Sequence, residues 1–138
     1  MRDILVLLRA MHLYSQTAHH LVARSPFHSD HAFFGEVYEA MSDAYDGVAE
    51  RIIGLLGEET LKPQTLLLEV NEKLKMSPSI GVKENKVFYE FQLALEKELC
   101  QKITITIQAG ATPGVEQLIG ELANQSEIRQ YKIKQRIK

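Results

Sequence analysis

The chain has 138 residues, enough for one domain that buries roughly 70% of its unfolded surface without a disulfide or structural metal. With 16 Lys+Arg against 18 Asp+Glu the net charge is −2, which excludes a global positive field for nucleic-acid binding. The single cysteine, Cys100, excludes an intramolecular disulfide and a cysteine-rich zinc site, and fits a reducing cytoplasmic compartment.

The first predicted helix runs from Ile4 to Ala23, free of Gly and Pro, with Leu5, Leu8, Met11 (or His12), Ser15, Ala18, Leu21 and Val22 on one face. Its apolar run Ile4 to Leu8 is far short of a membrane span and has no cleavage-site pattern behind it, so neither a membrane anchor nor a targeting segment is expected. Ser25-Pro26 ends that helix. Ser29 or Asp30 is expected to cap a second one reaching about Gly57, about 40 Å long, with Phe33, Val37, Met41, Ala44, Val48, Ile52 and Leu55 on its apolar stripe. Between Glu58 and Lys83 lie Pro63, Pro78 and Gly81, with a short helix over Gln64 to Lys75. A connection of that length permits the second and third long helices to run parallel. The third, about Glu84 to Ala109, carries Phe88, Phe91, Leu95, Leu99, Ile103 and Ile107. The alternation from Ile103 to Ile107 resembles a strand, but the stripe continues through it and predicts helix. Thr112-Pro113 opens the fourth, with Val115, Leu118, Leu122, Arg129, Ile133 and Ile137. Two helical pairs joined by a long crossover define an all-α, ferritin-like four-helix bundle, expected as a single domain over residues 1–138.

All five histidines, His12, His19, His20, His28 and His31, fall in the first 31 residues. No Glu-x-x-His pair exists, which argues against a di-iron centre inside one bundle. On the second helix Glu36, Glu39, Asp43, Asp46 and Glu50 follow steps of 3 and 4 and form one acidic stripe opposite the apolar face. An ordinary solvated face is one reading of it. A second copy of the helix packed nearby with a cation between is the other, supported by Arg51 as the only neighbouring cation and by Gly47 in mid-helix. Histidine with carboxylate suits iron, manganese or zinc. Arg129, Lys132, Lys134, Arg136 and Lys138 make the C-terminus basic. They read either as cations complementing a helix end or as a phosphate-binding tail.

The order of residues from His19 to Arg51 resembles the signature region of the Dps family, the ferritin-like mini-ferritins. His19 is followed twelve residues on by His31, Asp46-Gly47-Val48-Ala49-Glu50-Arg51 matches the family's Asp-x-x-Ala-Glu-Arg element, and Phe27 falls where the family has an aromatic after its turn. Two positions depart from the pattern: Gly35 stands where an aspartate is usual, and His20 where a tryptophan is usual. The resemblance implies a ferroxidase that binds ferrous iron at an inter-subunit site, oxidises it with peroxide or oxygen, and stores ferric iron, protecting against oxidative stress. His19, His31, Asp46 and Glu50 would be the ligands, the histidines from one subunit and the carboxylates from its two-fold mate. His20, Glu36 or Glu39 would compensate for Gly35, and Gly35→Asp would tighten binding. A homo-dodecamer built from two-fold dimers is implied, zinc or manganese stands as the alternative to iron, and DNA is not expected as a strong partner. The alternative function is a non-catalytic shell or DNA-compacting protein with a degenerate metal site.

Overall fold

The computed structural model describes residues 1–138 and contains helices only: α1 (Arg2–Leu21), α2 (Phe27–Leu56), a 3-10 turn (Glu58–Leu61), α3 (Pro63–Leu74), α4 (Lys86–Gln108) and α5 (Pro113–Arg136). No helix is long and apolar enough to cross a membrane. α1 packs along α2, α4 along α5, and α1 also meets α3 and α4. That central position explains why the five consecutive residues Ile4 to Leu8 are all buried, where an outer helix would bury only every third or fourth. The strand-like segment from Ile103 to Ile107 is helical. Ile103 enters the core, Ile105 is exposed, and the Thr104 and Thr106 hydroxyls donate to the carbonyls of Cys100 and Lys102 four residues back, each at 2.9 Å. Thr112 caps α5 by accepting from the Val115 amide.

Two buried carboxylates lock these helices together, Asp30 at one end of the bundle and Glu96 midway along α4. Asp30, in the first turn of α2, accepts from Asn85 Nδ2 at 2.9 Å, from the Tyr89 hydroxyl, and from Arg136 Nε and Nη2 at 3.0 and 2.9 Å. Asn85 in turn accepts from the Ala23 amide. The first turns of α2 and α4 and the last turn of α5 therefore share one end of the bundle. α2 and α4 run parallel, as the crossover permits. Glu96, on α4, accepts from Arg129 Nε and Nη2 at 2.6 and 3.0 Å, from Ser126 Oγ at 2.6 Å and from Gln92 Nε2 at 2.9 Å.

Three expectations change here. Neither Ser29 nor Asp30 caps α2, which begins at Phe27 without a side-chain cap. Asp30 is a core residue. Phe34, not Phe33, is the fully buried aromatic of that helix, and Leu55 is exposed. In the basic C-terminus, Arg129 and Arg136 neutralise Glu96 and Asp30, which neither reading of that segment anticipated.

Candidate metal centre

His19 lies in the last turn of α1 and His31 near the start of α2, so the short turn between the helices brings them face to face. Their rings stack with centroids 3.7 Å apart and planes 19° from parallel. His19 Nδ1–H donates to the His31 carbonyl at 2.6 Å, and His31 Nδ1–H donates to the His19 carbonyl at 2.7 Å. A carbonyl can only accept, so Nδ1 carries the proton in both rings. In the neutral ring this leaves the lone pair on Nε2, the state in which histidine ligates metals, with its orientation fixed by a backbone carbonyl. The exchange also has a structural use, since it satisfies a last-turn carbonyl of α1 that has few helical partners. Ring planes so nearly parallel cannot aim their lone pairs at one ion. Each histidine offers its own position.

Aromatic rings hold the pair in place. Phe27 lies nearly parallel to His31 with centroids 5.0 Å apart, while Tyr38 presents its edge to His19 at 5.3 Å. His20 is exposed with its ring 5.3 Å from His19. Of the residues expected to compensate at Gly35, it is the one brought beside the pair. Glu39 is exposed one turn beyond Gly35. Glu36 is exposed on the other flank of α2, where it shares a groove with Arg129 and Lys132 of α5.

Gly35 has a packing reason to be glycine. A Cβ there would lie 3.0 Å from both Cε1 and Nδ1 of His19. That ring cannot retreat freely, being stacked on His31 and bonded through Nδ1. Any side chain at 35 thus pushes against a candidate ligand, and this crowding predicts the opposite of the gain expected from Gly35→Asp. Gly35→Ala and Gly35→Asp should both weaken ferrous binding, although alanine gains about 1 kcal/mol of helix propensity. Calorimetric titration of the two variants checks this; tighter binding by the aspartate variant would show that the ring yields and that only a carboxylate was missing.

Asp46 and Glu50, with Glu36, Glu39 and Asp43, are exposed on α2, and none of the five forms an ion pair within the chain. Arg51 reaches instead toward Gly114 at the start of α5. Gly47 faces α5 as well, and a Cβ there would meet only Leu118 at an ordinary 3.9 Å, so it gives no support to a close approach along the stripe. His31 and Asp46 are 15 residues apart, about 22 Å along the helix, so they cannot hold one ion in one subunit. No group of three or more His, Cys, Asp or Glu converges within the chain. The bundle core offers no site either, because both oxygens of Glu96 are taken by Arg129, Ser126 and Gln92.

His12, seven residues before His19 on the same seam, was not singled out by spacing. Burial and the charge of Arg9 lower its pKa below the ordinary value, while Asp46 pulls the other way.

Among solved structures, Dps92 from Deinococcus radiodurans matches with a TM-score of 0.80 over 96% of this chain and 80% of that one, at 20% sequence identity. The chain has the Dps fold. No family sequence model matches it, and no curated protein matches its sequence. In this Dps fold the reciprocal His19–His31 pair sits where the first long helix turns into the second, and the acidic stripe lies along the outer face of that second helix.

Proposed function

We propose that two copies of this protein pair through α2 about a two-fold axis and bind ferrous iron between them, oxidise it with peroxide or oxygen, and store it as ferric mineral in a closed homo-oligomer, the dodecamer that the resemblance implies. The observation that carries this is the His19–His31 pair, with both Nδ1 protons committed to carbonyls and both Nε2 atoms left to accept a metal. Helix register supports the rest. In an antiparallel α2 pair, His31 meets the partner's Asp46 and Glu50 when facing residue numbers sum to between 31 + 46 = 77 and 31 + 50 = 81. The axis then passes between Tyr38 and Met41, an isologous contact in which each subunit supplies histidines to one site and carboxylates to the other.

Two metal positions per site follow from the parallel rings, and paired ions in two-metal sites commonly lie about 3.5–4 Å apart. His19 and His31 hold one position each; Asp46 and Glu50 supply the negative charge that favours the ferric state. His20 is the auxiliary ligand at the position facing Gly35. Zinc or manganese would occupy the same donors. The cytoplasm, with its reducing glutathione, suits a chain whose one cysteine is unpaired. The test is the native mass of the assembly together with ferrous oxidation followed optically, with and without peroxide. Oxidation above the buffer rate by the oligomer supports the ferroxidase; an oligomer that leaves iron at the buffer rate is the non-catalytic shell. DNA compaction has less support now that two of the five C-terminal cations neutralise core carboxylates.

A further inference from the structure

His12 is the one histidine at the Asp46 end of the α1–α2 seam. The helices are antiparallel, so stepping back from His19 along α1 and forward from Tyr38 along α2 leads to the same place. The ring of Tyr38 meets His19 at 5.3 Å on one side and His12 at 6.1 Å on the other. One turn before His12, Arg9 lies over the ring of Tyr45, the neighbour of Asp46 in sequence, at 4.4 Å. Nδ1 of His12 is fully buried and has no hydrogen-bond partner, one of only two side-chain polar atoms in the protein so placed. A buried orphan nitrogen is costly, and an apolar residue would remove the cost, so its retention calls for a use of the other nitrogen. Nε2 is neither buried nor bonded within the chain. In the neutral ring with its lone pair on the dry side, Nε2 carries the only N–H, on the stretch of seam where Arg9 meets Tyr45, the residue before Asp46.

We infer that His12 is a positioning residue which donates Nε2–H to the carboxylate of Asp46 on its own subunit and so orients Asp46 toward the metal held by the partner's histidines. The inference rests on the shared site proposed above. No hydrogen bond joins the two residues in the isolated chain; the inference is that they meet when the second copy closes over the stripe. Each subunit would then contribute a histidine–carboxylate pair to the site whose imidazole ligands come from the other, the outer-shell arrangement that commonly sets ligand orientation in metal sites.

Anaerobic calorimetric titration of the assembled protein with ferrous iron tests this, using His12→Phe, His12→Gln and Asp46→Asn singly and His12→Phe with Asp46→Asn together. Light scattering and thermal midpoints are read alongside. His12→Phe should weaken ferrous affinity about 10-fold without lowering the thermal midpoint, and His12→Gln, which keeps an N–H, should stay within about 3-fold of the parent. His12→Phe should cost nothing further once Asp46 is asparagine. An Asp46→Asn variant that binds as the parent does would defeat the shared site itself, and this inference with it. If Asp46→Asn weakens binding but His12→Phe does not, or if the losses simply add, the shared site stands and His12 has no hold on Asp46. A His12→Gln variant as weak as His12→Phe would overturn positioning in favour of direct ligation.

Discussion

Replacing Asp46 and Glu50 together by Asn and Gln should lower ferrous affinity by at least about 100-fold, about 2.7 kcal/mol or more, while leaving the helical bundle folded. The substitutions keep side-chain shape and remove two anionic donors from the stripe. Neither residue forms an ion pair within its own chain, so no partner is left stranded. Stability of the metal-free protein should move by no more than about 0.5 kcal/mol, and toward greater stability, because like charges three and four residues apart repel. Calorimetry with ferrous iron and thermal unfolding of the metal-free protein measure the two effects. A merely solvated face would leave binding untouched.

Asp30→Asn should have the opposite profile, leaving the site chemistry in place and weakening the bundle by about 3 kcal/mol at neutral pH. That lies at the low end of the range for breaking a buried ion pair, because Arg136 keeps 31% of its side-chain surface exposed and can be hydrated when unpaired. Burial alone would push the Asp30 carboxyl up, but hydrogen bonds from Arg136, Tyr89 and Asn85 and the charge of Arg136 outweigh it and hold the pKa below the ordinary value. A carboxylate whose folded pKa is depressed contributes stability that is complete above its unfolded pKa, about 3.9, and is lost as pH falls through the lower folded value. The gap between parent and Asp30→Asn should therefore be full at pH 7 and close progressively below about pH 4. Urea unfolding of both proteins at several pH values reads this directly. A gap that stayed constant into acid would mean that Asp30 contributes by shape rather than charge.

The two variants separate what was legible in the sequence from what was not. The acidic stripe and the twelve-residue spacing of His19 and His31 were readable because both are local patterns, one of helical period and one set by a short turn. Helix order, the parallel course of α2 and α4, and the Thr112 cap followed from the same kind of signal. Asp30 did not. Next to Ser29 and ahead of an apolar stripe it has the chemistry of a cap, and only contacts with Asn85, Tyr89 and Arg136, up to 106 residues away, make it a core residue. A trace of the second network was visible, since Gln92 and Glu96 follow Phe88 at helical spacing on the core side of α4 and Arg129 falls on the apolar stripe of α5. Gly35 was half readable. Its departure from the family pattern was plain, but the His19 ring against its backbone depends on how α1 crosses α2, which no single-helix pattern encodes. His12 was hidden for the same reason.

Whether histidines of one subunit and carboxylates of another form a single site is tested most directly by mixing two inactive variants. Subunits carrying His19→Ala and His31→Ala are unfolded and reassembled with an equal amount carrying Asp46→Asn and Glu50→Gln, and ferrous binding and oxidation are measured. A mixed dimer pairs intact histidines with intact carboxylates at one of its two sites and leaves the other doubly broken. With random pairing half the dimers are mixed, so about a quarter of the parental sites should return, although each variant alone has none. A site contained within one subunit would return nothing, and a mixture as inactive as its components would contradict the shared site.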